Sequence, residues 1–356
     1  MVAARAIAGI SLLFTFSVAA GLLLQDSVCA APLCIILPGA MLLTALSMRR
    51  WKSPWMSFLL LIQLGVWISL NEGQLERLDP GPSRLERASE QLRAQYGRFV
   101  DGIPFEDAET GALIKALTAG DRSGLSRQTK QVFRSSGASH LLALSGLHLG
   151  ILYAILQFLL GAAGRGRAGR IIRYAVLTGS SGAYCILTGA SPSLVRAFLF
   201  IFLAETARLT GRKAPLLDCL CGALLLQLAF HPGALRMIGF QLSYLAVFGI
   251  ALLYPPLKRL YPEGRPSPMR YLWNGAALSI ACQCFTAPLV WLRFHQFPRY
   301  FLLTNLLALP LTTLLMVASV TTLALWGLGI CPTILIQATE TLVRSLINVL
   351  TLISGM

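Results

Sequence analysis

Residues 119–150 read AGDRSGLSRQTKQVFRSSGASHLLALSGLHLG, which puts a carboxylate, guanidinium groups, hydroxyls and two imidazoles on the edge of an apolar run. Asp121 and Arg122 sit in a glycine-flanked turn, Arg134 and His140 follow, and Ser145, Gly146 and His148 lie inside the apolar part. Imidazole beside hydroxyl or carboxylate is the raw material of nucleophilic or acid–base chemistry. The same residues, with arginine, could instead line a path for a polyanion. A third reading is polar glue between helices. On one continuous helix His140 and His148, eight residues apart, would stand roughly 80° apart and two turns along. Ser145 and Gly146 are expected to kink that helix, to admit a close neighbour, or to begin a half-helix.

Three further clusters carry polar groups into apolar surroundings, where such groups are costly. In TGASPSLVRA, residues 188–197, Gly189 and Pro192 mark a turn, and Ser191 or Ser193 could cap the helix that follows. Arg196 lies one turn into that helix, where it either snorkels to the interface or joins an anion site at the helix start. Gln241 and Ser243 share one apolar helix, with His231 and Arg236 at its mouth. The last cluster holds Gln283, Pro288, Arg293, His295 and Gln296, then Asn305 and Pro310.

The sequence contains no GxxxxGK[ST], no HExxH and no GxSxG, so nothing in it reads as a nucleotide-hydrolysing loop, a zinc site or a hydrolase elbow. Cys219 and Cys221, and Cys282 and Cys284, stand two apart, point to different sides of a helix and read as packing residues. No enzymatic activity, no cofactor and no metal is expected.

Helices must position these residues. The chain has 356 residues, 55% of them hydrophobic and 13% charged. Charged residues make up about a quarter of ordinary soluble chains, so disorder and a soluble domain are both poor descriptions. Apolar runs near the membrane-spanning length of about 20 residues occur at 6–24, 31–48, 54–70, 140–161, 174–190, 193–207, 214–231, 236–254, 271–292, 300–328 and 333–353. They are continuous rather than alternating, so the expectation is an all-α polytopic integral membrane protein of about eleven transmembrane helices, within 9–12. Re-entrant or broken helices are allowed for, notably at Pro310. The first run is expected to be a retained helix rather than a cleaved signal peptide.

The net charge is +15. Residues 71–139 contribute none of it, because ten Lys and Arg there face ten Asp and Glu. The basic clusters are Arg5; Arg49, Arg50 and Lys52; Arg165, Arg167, Arg170 and Arg173; Arg208, Arg212 and Lys213; and Lys258, Arg259, Arg265 and Arg270. They fall in alternate loops, while only Arg236, Arg293 and Arg299 lie at the opposite short loops. This asymmetry predicts a cytoplasmic N-terminus and an extracytoplasmic C-terminus. Most of the positive charge is thus an orientation signal. Residues 71–139 fall on the outer side, with an amphipathic helix over 83–99 and a second short helix over 107–118.

Taken together, AGDRSGLS at 119–126, FRSSGASHLLALSGLHLG at 133–150, TGASPSLVRA at 188–197, GFQLSYLAVFGI at 239–250, FHQFP at 294–298 and NLLALP at 305–310 resemble one family, the ComEC-type competence proteins of bacteria. The resemblance covers about 119–310, with the strings in the family's order. It implies a multi-pass inner-membrane channel for uptake of single-stranded DNA in natural transformation. It singles out Asp121, Arg122, Arg134, His140, Ser145, Gly146, His148, Pro192, Ser193, Arg196, Gln241, Ser243 and Asn305 as channel or DNA-path candidates. The layout expected on that basis is N-terminal transmembrane helices over 1–70, an extracytoplasmic helical linker over 71–118 and a competence-type channel domain over 119–356. Many family members also carry an oligonucleotide-binding barrel and a metallo-β-lactamase-like domain, for which this sequence has no counterpart. A minimal, split or truncated form is therefore expected. Single-stranded DNA and membrane lipid are the expected partners, with a separate DNA receptor, nuclease and ATPase motor, and a homo-oligomer is allowed for. A transporter for another anionic solute on the same fold is the competing reading.

Overall fold

Backbone that leaves water has to satisfy its own hydrogen bonds, and a helix does so within one segment. The computed structural model describes residues 2–24, 84–162, 166–261, 268–295 and 300–355, with parts of 33–41 and 59–71. Among the described residues every regular element is helical and no strand occurs. In chain order the helices are α1 (Val2–Leu24), α2 (Arg84–Asp101), α3 (Ala108–Ala119), α4 (Arg127–Ser135), α5 (Ser139–Leu142), α6 (Gly146–Leu159) and α7 (Arg167–Leu187). There follow α8 (Pro192–Leu209), α9 (Leu216–Phe230), α10 (Ile238–Arg259), α11 (Pro268–Phe294), α12 (Phe301–Gly327) and α13 (Thr333–Ser354). The described residues of 62–71 are helical as well. Helices α10, α11 and α12 are long and apolar enough to cross a membrane; Ile10–Leu24, α6 and α9 are shorter apolar helices. The expected spans at 31–48 and 54–70, the basic cluster at Arg49, Arg50 and Lys52, and Gln296 lie wholly or partly outside the described residues. Pro310 does not divide α12, which runs unbroken through it.

The chain forms two units. The first comprises Met1–Ser83 and Phe202–Tyr244. Small residues bring its helices close: Ser69 Oγ donates to the Val18 carbonyl at 3.1 Å, and a Cβ on Gly21 would fall 2.7 Å from that of Ser69. Arg236 donates to the Leu22 carbonyl at 2.5 Å, placing a cation on the negative end of α1. The Tyr244 hydroxyl donates to Gln227 Oε1 at 3.0 Å, so two buried polar groups satisfy each other.

The second unit comprises Arg84–Ile201 and Leu245–Met356. Helices α2 and α3 form a hairpin in which Lys115 pairs with Asp101 at 2.8 Å. Asp107 caps α3, accepting from the Glu109 N–H, and Gly120 ends it at φ 76°. Apart from Glu109 and Lys115, helix α3 is apolar or small around its circumference and is accordingly buried. Its Leu113 and Leu117 pack with Phe133 of α4, Leu315 and Met316 of α12, and Val343, Leu346 and Leu350 of α13. The region from α2 to α4 meets α12 near both of its ends. A Cβ on Gly327 would meet Phe99 at 3.4 Å, and the Thr304 hydroxyl donates to the Ser136 carbonyl at 2.7 Å.

Helices α10 and α11 touch where Gly249 faces the Ala281 backbone. An added Cβ would stand 2.5 Å from the Ala281 carbonyl oxygen and 2.8 Å from the Phe285 ring. Backbone cannot swing aside as a side chain can. Gly249→Ala is therefore expected to cost about 1–3 kcal/mol, the usual penalty of overpacking, and to lower the thermal midpoint of the solubilised protein. An unchanged midpoint would contradict this close approach.

Candidate functional site

The single helix expected over 140–161 is two. Helix α5 ends at Leu142, Ala143 is extended, and α6 starts at Gly146. The reason is Ser145, which is extended at φ −127° and ψ 170° and caps α6. Its hydroxyl accepts from the Leu147 N–H at 3.3 Å. His148 completes the cap from the third helical position, where glutamate or glutamine is usual: its Nδ1 accepts from the Ser145 N–H at 3.2 Å and lies 3.1 Å from the Ser145 hydroxyl. The eight-residue spacing of His140 and His148 therefore has no helical meaning. His140 sits on α5 with Nδ1 3.2 Å from the Gly137 carbonyl.

An imidazole Nδ1 that accepts from a backbone N–H carries no proton there, which places the proton on Nε2. His148 is 1% exposed, and its Nε2 is buried without a hydrogen-bond partner; the Leu141 carbonyl is near the ring but outside bonding geometry. Helix α8 supplies the neighbouring charge. A Cβ on Gly146 would lie 3.2 Å from Arg196 Nη2 and 3.2 Å from the Ala197 Cβ, so glycine here lets α8 approach closely. Arg196 is 9% exposed and its guanidinium stands 5.9 Å from the centre of the Phe200 ring, a cation–π distance. Leu149 of α6, Cys185 of α7, and Leu194 and Ala197 of α8 close the apolar floor, with Tyr184 against it. The Tyr184 hydroxyl and Ser191 Oγ are also buried without partners. Ser191 therefore does not cap α8 through its side chain; Pro192 begins that helix, with Ser193 next to it, at a position where the missing N–H costs nothing.

The turn before Pro192 is held from α2. Arg93 Nε donates to the Leu187 carbonyl at 2.8 Å, at the negative end of α7. Its guanidinium lies where a Cβ on Gly189 would fall, and Gly189 adopts φ 80°. Both demands exclude other residues. Arg93 also borders a groove of about 490 Å³ with Arg98, Asp101, Lys115, Asp121 and Arg122. Tyr96 and Thr118 join α2 to α3: their hydroxyls are 2.5 Å apart, and burial pushes the Tyr96 hydroxyl up to about 12.

Asp121 accepts from the Ser123 hydroxyl at 2.6 Å and the Ser123 N–H at 2.9 Å, and these two bonds hold its carboxyl below the usual aspartate value. A depressed folded-state value stabilises above the unfolded value, about 3.9 for aspartate, and the benefit is lost as pH falls through the folded one. The thermal midpoint is thus expected to drop on acidification below about pH 4, with a smaller drop in Ser123→Ala. Equal acid limbs in the two proteins would sink this assignment.

Ser145, Gly146, His148 and Arg196 are thus brought together, with Pro192 and Ser193 at the start of Arg196's helix, while Asp121 and Arg122 share the groove. The others stand apart. Arg134 is exposed on α4. Asn305 donates to Ser279 Oγ at 3.3 Å, joining α12 to α11. Gln241 belongs to the first unit, where it donates to the Leu235 carbonyl at 2.7 Å, and Ser243 lies beside it on α10. Among the described residues no three His, Cys, Asp or Glu gather as a metal site. Sequence reading missed Arg93, Tyr184 and Glu340. Glu340 alone had a visible signal, an acid in the apolar run 333–353.

The family model described as competence protein matches residues 117–356. The chain is 29% identical over 222 residues to ComE operon protein 3 of Bacillus subtilis (strain 168), covering 62% of this chain and 27% of that protein. It is 31% identical over 203 residues to competence protein ComA of Neisseria gonorrhoeae, covering 56% and 28%. It is 26% identical over 231 residues to the uncharacterized protein YcaI of Escherichia coli (strain K12), covering 64% and 30%. The chain thus spans less than a third of the length of these curated relatives, between 27% and 30%. No solved structure matches. Because the family match takes in α4 to α13 and all of the α6–α8 cluster, this chain belongs to the competence protein family.

Proposed function

We propose that this protein is a channel-type component of the bacterial inner membrane that admits single-stranded DNA during natural transformation. The observation that carries the reading is the competence-family match over 117–356, inside which the buried Arg196 and the opened helix start at Ser145 and Gly146 come together. About eleven spans, an N-terminus in the cytoplasm and an extracytoplasmic C-terminus are part of the proposal, supported by the alternation of basic loops. A single strand is a flexible polyanion, and a conduit for it needs positive charge sparse enough to let it leave. The chain acts as a conduit rather than an enzyme, without nuclease or ATPase chemistry of its own. DNA capture, degradation of the second strand and the pulling force fall to a receptor, a nuclease and a motor on other chains, and assembly of several copies is compatible with this.

The test is genetic and then physical. A deletion strain is expected to lose transformation and to regain it when the gene is restored. The purified protein in vesicles is expected to admit labelled single strands. Normal transformation in the deletion strain would overturn the reading. Passage of a small organic anion without DNA would replace it with a solute transporter on the same fold.

A further inference from the structure

We propose that the exposed face of α4 is a loading surface, on which Arg127, Lys130 and Arg134 hold the phosphate backbone of an incoming single strand without reading its bases. The identity of the strand rests on the DNA reading above; the preference for a soluble polyanion does not. The charge of residues 71–139 cancels in total but not along the chain. Residues 71–121 hold ten acids and six bases, whereas 122–139 hold four bases and no acid. Three of those four bases, Arg127, Lys130 and Arg134, fall on α4. With 3.6 residues per turn they share an arc of about 60° over a length of about 10 Å. All three are exposed, and among the described residues none has an ion-pair partner. Glu109 reaches this helix at its start, where its carboxylate accepts from the Ser126 N–H at 3.2 Å. Like charges three and four residues apart repel each other and weaken a helix. That repulsion stands unrelieved here although the preceding segment is rich in acid. An occupant of opposite charge accounts for it.

The packing of α4 selects that occupant. A helix that lies in a lipid surface inserts an apolar face beside its cations. Helix α4 has no such face to offer. Phe133 is buried among Leu117, Leu315 and Val343, Thr129 is buried as well, and Val132 packs on the same core. Its exposed residues are Arg127, Gln128, Lys130, Gln131, Arg134 and Ser135, all of them polar. In the proposed orientation α4 lies on the outer side within about twenty residues of a span, where the bias that sets topology disfavours lysine and arginine. The charge thus serves neither insertion nor orientation. No aromatic side chain stands on this face to stack a base, so the contact is with phosphates alone and indifferent to sequence.

Counterion release gives such a surface a signature. For single strands the logarithm of affinity falls against the logarithm of salt with a slope of about −0.7 per phosphate neutralised. The full chain in nanodiscs of zwitterionic lipid is titrated with a fluorescent oligothymidylate between about 50 and 200 mM salt. Arg127→Gln, Lys130→Gln and Arg134→Gln combined are expected to flatten the slope by about 2 and to weaken binding roughly tenfold at the lowest salt. Gln131→Arg, which adds a cation to the same face, is expected to steepen the slope by about 0.7. Oligodeoxyadenylate is expected to behave as oligothymidylate does. A slope that neither variant moves would overturn the surface, and the channel reading survives if labelled DNA still enters vesicles. Phosphatidylglycerol retained by wild type and lost from the triple variant, with strand binding unchanged, would assign the face to the bilayer and overturn the proposal as well. If the slopes shift as expected while no DNA enters vesicles and a deletion strain transforms normally, the polyanion surface stands and the DNA-uptake reading falls.

Discussion

Arg196→Glu is expected to cut entry of labelled single-stranded DNA into vesicles roughly a hundredfold while the protein still reaches the membrane fraction. Losing a hydrogen bond between a phosphate and a charged group costs about 1.5–3 kcal/mol, and each 1.4 kcal/mol is a factor of ten. Reversal adds repulsion of every phosphate that approaches. Arg196→Lys keeps the charge and loses the planar fork, so it should fall between the two. The neutral Arg196→Gln guards against misfolding, because it leaves no unpaired carboxylate beside the Phe200 ring. Wild-type entry with Arg196→Glu would remove this arginine from the path, and the α6–α8 cluster would then be a packing feature.

Phe133→Ala is expected to be the most destabilising single truncation in α4. Phe133 is 0% exposed and lies among Leu117, Leu125, Leu315 and Val343. Emptying such a site costs about 3–5 kcal/mol through lost transfer energy and the cavity left behind. Its neighbour Arg134 points outward, so Arg134→Ala should stay within about 0.5 kcal/mol. A helix as polar as RQTKQVFRS has little else to fix it to the core. The measurement is thermal unfolding of the solubilised protein, with ligand-free buffer for both variants. Similar midpoints for Phe133→Ala and Arg134→Ala would show that α4 is held by something other than its phenylalanine.

Much of the architecture was readable from hydropathy alone. The run at 271–292 became α11, a few residues wider at both ends, the run at 333–353 became α13 with one residue added, and the amphipathic pattern over 83–99 became α2. Continuity of apolar residues dictates these helices wherever they end up. The break between Leu142 and Gly146 was less accessible. Hydropathy stays high through Ala143 and Leu144, and the signal lies in one serine whose hydroxyl and backbone pair with His148. That pair is a capping box with histidine in place of the usual acid, so the pattern to search for was absent. Arg93 shows the other limit. Its partner is a backbone carbonyl at Leu187, and backbone acceptors leave no trace in side-chain identity. The burial of α3 was legible in principle, since ALIKALTA is apolar apart from Lys115 and Thr118. What it packs against, α12 and α13, is a long-range matter that composition does not address.

The order of synthesis gives the start of α3 a particular position. Its entry is held by Glu340 of α13, 4% exposed, whose carboxylate accepts from the Glu106 N–H at 2.6 Å and the Asp107 N–H at 3.4 Å across separations of 234 and 233 residues. Ribosomes add about 5–20 residues per second, so α3 waits roughly ten seconds or more for its acceptor. Through that interval its apolar faces have neither α12 nor α13 to cover them. A membrane chaperone that shields one short helix would act in that window, and the arrival of the last helix would release it.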